Sequence, residues 1–250
     1  MILEHFVKCW ERRFGPFPST YLVFDSETTG TRVGTDLIGE IGFCMVSDGK
    51  ITDNFSVLIN WFDGTADTEW LRGRLEDTRR QVEFDRDGRP TGRHYQLSEE
   101  GMRRGVPAHE AMQICAEVFT AARVDNLPLV AHNGIAFDVP MLQYHFQRWL
   151  SCSWDPGENG IIDTGIIVKA SQGNMIPESH DSIRSYCSRV AAQRWRGVYW
   201  ALDRYCVPKW NLAEKHNLDM SRAHGAAFDT YLAHLVFEEI RSLAAPPVSV

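Results

Sequence analysis

The sequence predicts a mixed α/β fold, and three observations carry that expectation. Tyr21-Leu22-Val23-Phe24 is a short apolar run of the kind that forms a buried central strand. Two longer patterned stretches, Leu37 to Val46 and Lys50 to Ile59, flank the turn signal Ser47-Asp48-Gly49 and read as a β-hairpin. Past residue 105, helical patterns alternate with two more short apolar runs. Three tightly connected strands followed by alternating helix and strand give a mixed five-stranded sheet flanked by helices.

In chain order, Leu3 to Arg13 is an amphipathic pattern closed by Gly15-Pro16-Phe17-Pro18, so a short helix is expected before the first strand. Trp61 to Arg104 departs from the rest. It mixes charges of both signs and carries Asp87-Gly88 and Arg89-Pro90 turn signals around a helical pattern at Thr68 to Val82. It reads as a solvated surface insertion. Pro107 suits the first position of a helix reaching about Arg123. Leu127 to His132 is the fourth strand, Phe137 to Leu150 the next helix, and Ser151 to Gly160 a loop. Ile161-Ile162-Asp163 is the last strand, ahead of a helix to about Ala170.

Asp181 to Lys209 reads as a helical second insertion. Asn211 caps a short helix to His216, and the final helix spans about Ala223 to Leu243. The organisation is one domain with its core over about residues 19–243 and insertions near 61–104 and 181–209.

Hydrophobic residues make up 44 % and charged residues 24 %, the balance of a soluble globular protein. The start lacks the basic and apolar regions of a secretory signal, and no stretch nears the roughly 18 apolar residues of a membrane span. An intracellular, cytoplasmic protein is expected. Six scattered cysteines without a Cys-x-x-Cys pair suit neither zinc nor a disulfide framework. The formal net charge of −7 is not that of a protein that holds nucleic acid by bulk charge. A site built of carboxylates neutralised by metal ions would be compatible with it.

Three stretches carry chemistry. In Val23-Phe24-Asp25-Ser26-Glu27-Thr28-Thr29-Gly30, residues two apart on a strand share a face, so Asp25 and Glu27 project side by side. Adjacent carboxylates repel unless a cation lies between them, and hard divalent ions such as Mg²⁺ favour such oxygens. Leu129-Val130-Ala131-His132-Asn133-Gly134-Ile135-Ala136-Phe137-Asp138 runs from strand through loop into helix. Asp138 alone would read as a first-turn acid favouring the helix dipole. His224-Gly225-Ala226-Ala227-Phe228-Asp229 puts its two polar groups about 140° apart on an ideal helix. They can meet only if His224 lies on the loop before the helix.

Taken in order, these motifs resemble the three exonuclease motifs of the DEDDh-type 3′→5′ exonucleases, a DnaQ-like family with an RNase H-like fold. Leu-Val-Ala-His-Asn-Gly with Phe-Asp-Val-Pro-Met-Leu looks most like its TREX-like branch. The resemblance spans about Tyr21 to Ile240. It implies that Asp25, Glu27, Asp138 and Asp229 are the four metal-binding acids, holding two Mg²⁺ ions for which Mn²⁺ can substitute. It makes His224 the general base, a role suited to an imidazole with an ordinary pKa of about 6.5. Gly225 stands where a tyrosine would mark the sister branch. Thr31 departs from the pattern, since relatives often have Leu there against the terminal base.

Thr28, Thr29 and Asn133 are candidates for contacting the terminal nucleotide, or are turn residues that satisfy local backbone groups. Asp181 to Lys209 sets six cations, Arg194 and Arg196 among them, against Asp181 and Asp203, interleaved with Tyr186, Trp195, Tyr199 and Trp200. Such a stretch suits single-stranded nucleic acid, or is a helical insertion whose aromatics pack on the core. The expected partner is nucleic acid, with DNA favoured and RNA the alternative, and 5′-mononucleotides as products. A non-catalytic binding module and a polymerase-associated proofreading subunit are the other readings.

Overall fold

In the computed structural model, the structure describes residues 2–244 except 86, 92, 93, 158, 159, 194–211 and 213. Helix α1 (Ile2–Phe14) precedes strand β1 (Tyr21–Thr28), which is followed by β2 (Ile38–Ser47) and β3 (Lys50–Asn60). Helices α2 (Thr68–Glu83) and α3 (Glu99–Arg103) then lead to β4 (Val106–Pro107) and α4 (Ala108–Val124). After these come β5 (Leu129–Ala131), α5 (Asp138–Leu150), β6 (Ile161–Asp163), α6 (Thr164–Gln172) and α7 (Ile183–Ala191). A 3₁₀ turn at Met220–Arg222 introduces the last described helix, α8 (Ala226–Ser242).

The strands form one sheet in the order β4-β3-β2-β1-β5-β6. β1, β2 and β3 pair antiparallel, while β5 runs parallel to β1 and β6 parallel to β5. The hairpin turn places both Asp48 (φ 50°) and Gly49 (φ 74°) in the left-handed region. A tight hairpin between right-twisted strands requires that pair of conformations.

The sheet has one strand more than the five expected. Val106–Pro107 pairs parallel with Ile59 and Asn60, so Pro107 stands in extended backbone as the residue before α4 and not as its first turn. An edge strand tolerates a proline because no inner ladder bond needs its missing N–H.

Alternation along β1 divides the core. Leu22 and Phe24 pack with α4 and α5 on one face, and Tyr21 and Val23 pack with α1, α6 and α8 on the other. Carried on to the end of the strand, the same alternation turns Asp25 and Glu27 toward the α8 face and Ser26 toward α5.

The segment 61–104 corrects the expectation of a merely solvated insertion. Trp61, Leu71, Leu75, Leu97 and Met102 are buried in the α4/α5 core, and the Trp61 indole N–H donates to Ile38 O at 2.6 Å. Leu71 and Leu75 lie one turn apart on α2, which is how a helix so rich in charge still presents an apolar stripe. In the second insertion, Tyr186 is likewise core: it is fully buried, and its hydroxyl donates to Met175 O. Arg194, Arg196, Trp195, Tyr199, Trp200 and the cap at Asn211 lie outside the described residues. None of the five cysteines among the described residues forms a disulfide.

His145 joins α5 to β2 from within the core. Fully buried, its Nδ1–H donates to Met141 O at 2.8 Å and its Nε2 faces the Ile38 N–H at 3.4 Å. Burial pushes its pKa down to about 4, against about 6.5 for an exposed imidazole. Between those values the unfolded chain binds a proton that the folded one refuses. The contribution of His145 is therefore intact above pH 6.5 and is lost as pH falls toward 4, by about 3 kcal/mol at most. Urea unfolding from pH 7.5 to 4.5 is expected to give a shallower acid slope in His145→Gln than in the wild type. Equal slopes would assign the acid sensitivity elsewhere.

Candidate active site

The candidate side chains gather at the C-terminal ends of β1 and β5 and at the start of α8. Glu27 belongs to β1, Asp229 to the first turn of α8, and His224 to the loop before that helix. A donor atom from each of Glu27, His224 and Asp229 falls within one group no more than 4.8 Å across. Asp229 is buried, the other two half-buried. His224 has φ 66°, a left-handed conformation that ends the incoming chain before α8 begins at Ala226. That break is how residues five apart meet at one point.

Asp138 opens α5 on the opposite face of β1 and reaches the site through the strand's backbone. One of its carboxylate oxygens accepts both the Ser26 N–H at 2.9 Å and the Ser26 hydroxyl at 2.5 Å. Ser26 lies between Asp25 and Glu27, so Asp138 is fastened to the backbone that carries them both. It is 3 % exposed, and burial pushes its pKa up to about 7; the Ser26 hydrogen bonds oppose the shift and nearby Asp163 adds to it. Neither Asp25 nor Asp138 belongs to the Glu27–His224–Asp229 group; Asp138 meets β1 at Ser26, the residue before Glu27.

Two features hold α8 against β2. Glu40 Oε2 accepts the Ala226 N–H at 3.1 Å and so caps a helix whose own N-cap residue, Gly225, offers no side chain. Gly42 provides the clearance. A Cβ there would stand 2.3 Å from Ala226 O and 2.8 Å from Ala227 N, backbone atoms that cannot swing aside. Gly42→Ala is expected to cost roughly 1–3 kcal/mol by overpacking and to displace Asp229. Chemical denaturation reads the first effect, and an unchanged midpoint would contradict this packing.

The remaining sequence candidates are placed unevenly. The Thr29 side chain is fully buried, with its hydroxyl oxygen accepting the Leu37 N–H at 2.9 Å. That is the second of the two roles expected of it, a turn residue that satisfies a local backbone group. The Thr28 hydroxyl donates to Gly30 O at 2.6 Å, as a turn residue would. Asn133 adopts φ 63°, and its side-chain oxygen accepts from Lys169 Nζ at 2.6 Å.

Asp163 is a residue that sequence reasoning overlooked. Fully buried at the end of β6, it accepts the backbone N–H groups of Asn133 (2.9 Å), Ile135 (3.0 Å) and Ile166 (3.1 Å). It thereby shapes the loop that delivers Asp138. Burial raises its pKa, against the pull of those three N–H groups. Its signal was present, an acid closing a short apolar strand just as Asp25 does.

No protein-family model matches the chain, and no curated protein matches it. Solved structures do. E. coli exonuclease I in complex with a dT13 oligonucleotide superposes with a TM-score of 0.54 at 15 % identity, over 90 % of this chain and 41 % of that one. The zinc-bound form of the E. coli exonuclease I–ssDNA complex gives 0.51 at 17 % identity, over 90 % and 40 %. A further exonuclease I structure, described in terms of processivity, gives 0.52 at 16 %, over 89 % and 43 %. The chain thus spans about two-fifths of the length of the protein it superposes on. At these identities the likeness is one of architecture: this chain has the RNase H-like fold of E. coli exonuclease I.

Proposed function

We propose that this protein is a metal-dependent 3′→5′ exonuclease that removes 5′-mononucleotides from the 3′ end of DNA, with single strands or 3′ overhangs as substrate. The observation that carries the reading is the meeting of Glu27, His224 and Asp229 within 4.8 Å, with Asp138 fastened between Asp25 and Glu27. The fold of a protein solved with oligonucleotides supports it.

The donor set fits divalent metal. Carboxylate oxygens dominate, and a buried acid with a pKa near 7 would exchange its proton for a cation. Asp25, Glu27, Asp138 and Asp229 would hold the ions, Mg²⁺ or substituting Mn²⁺. When bound, such ions would supply charge stabilisation to the scissile phosphate and would lower the pKa of the attacking water.

The chain's own part is placement and proton transfer. His224, set on its loop at the edge of the acid cluster, takes the proton of the attacking water at a ring nitrogen. Ser26 fixes the Asp138 carboxylate, and the Glu40 cap fixes the helix bearing Asp229. Arg194 and Arg196 remain candidates for phosphate contacts.

Matched 5′-labelled DNA and RNA oligonucleotides with Mg²⁺ test the substrate class. A ladder shortening from the 3′ end, faster on DNA, is expected. Faster shortening of RNA would name an exoribonuclease, and tight binding without degradation of either would point to a binding module.

A further inference from the structure

We propose that Gln96, in the connection between α2 and α3, is a positioning residue for His224, a proposal that rests on His224 acting as the base in the reading above. The Gln96 side-chain amide donates to Ser221 O at 3.0 Å and to Ala223 O at 3.3 Å, carbonyls on the stretch that enters His224. On the far side of His224, Glu40 takes the Ala226 N–H at 3.1 Å and is itself held by the Ser56 hydroxyl at 2.5 Å. The loop is therefore gripped before and after the histidine. Between the two grips His224 keeps φ 66°, a conformation that a non-glycine residue holds only where its surroundings enforce it.

The flanking residues give Gln96 a firm base. The Tyr95 hydroxyl donates to Thr28 O at 2.9 Å, one residue past Glu27, and Leu97 is buried in the core. Residues 95–97 thus bond to the backbone beside Glu27 and to the backbone beside His224, fixing the spacing between acid and base. Thr78, which donates to Thr29 O at 2.5 Å, and Arg74, paired with buried Asp36 at 2.6 Å, hold the separate connection from β1 to β2 just beyond Thr28. Displacing a catalytic group by a fraction of its working distance is costly in rate, while substrate affinity need not change. Gln96 is exposed, so its replacement leaves the core alone.

Three variants separate donor chemistry from bulk. Gln96→Leu removes the donors, Gln96→Glu sets a carboxylate against two carbonyls, and Gln96→Lys restores a donor of similar reach. Amide hydrogen exchange over 221–226 should quicken about tenfold in the Leu and Glu variants and stay near wild type in the Lys variant. On single-stranded DNA with Mn²⁺, kcat should fall about 5- to 20-fold in the first two, with KM and Mn²⁺ affinity within about twofold, and recover in the third. Unchanged exchange and kcat in Gln96→Leu, or an equal loss in Gln96→Lys, would overturn the proposal. Should the wild type not shorten DNA, the nuclease reading fails by itself, and the exchange series alone upholds or overturns the grip on the loop.

Discussion

Asp138→Asn is expected to release no measurable nucleotide while folding at least as well as the wild type. Asparagine keeps the oxygen that accepts both the Ser26 N–H and the Ser26 hydroxyl, so the anchor between Asp25 and Glu27 survives. The anion is what disappears. Without metal, that anion is a burden. With a folded pKa near 7 against about 3.8 unfolded, Asp138 weakens the fold above pH 4, increasingly up to pH 7, and the cost fades as pH falls. The variant should therefore melt higher than the metal-free wild type at pH 8, with the gap closing toward pH 4. Added Mn²⁺ should raise the melting temperature of the wild type and leave the variant nearly unmoved. Equal Mn²⁺ stabilisation of both proteins would remove Asp138 from the metal site.

His224→Ala is expected to lower kcat by a factor on the order of 10²–10⁴, the usual worth of a positioned general base. Its signature differs from that of Asp138→Asn, because the carboxylates proposed to hold the ions remain. Metal affinity should change little. A kcat within a few-fold of the wild type would show that another group takes the proton.

Much of the fold is legible in the sequence because periodicity dictates it. Leu22 and Phe24 alternate with Tyr21 and Val23, and that alternation alone settles which way Asp25 and Glu27 face. The Asp48-Gly49 turn forces an antiparallel neighbour, and Gly225 beside His224 marks the break that lets His224 and Asp229 converge. What the sequence hides is whatever depends on a third element arriving from far away in the chain. Nothing local distinguishes Thr29, buried under the loop it closes, from an exposed turn threonine. Gly42 reads as an ordinary interruption of a strand until α8 lies across it.

The segment 61–104 shows the same limit most clearly. Its composition is that of a solvated surface, and its arginines and acids do form exposed ion pairs such as Arg72–Glu99 and Arg80–Glu76. Such pairs are worth little. The few groups that matter, Thr78, Tyr95 and Gln96, act through one or two hydrogen bonds each to backbone carbonyls elsewhere in the chain. No periodicity encodes a bond of that kind.

The most direct test of a metal-dependent exonuclease site follows one 5′-labelled single-stranded DNA with wild type and Asp138→Asn side by side. Each is incubated first in EDTA and then with Mg²⁺ in excess. The expected result is no change in EDTA, a ladder receding from the 3′ end once Mg²⁺ is added to the wild type, and intact DNA throughout with the variant. Shortening that persists in EDTA, or a variant that matches the wild type, would contradict the assignment of these acids to a catalytic metal site.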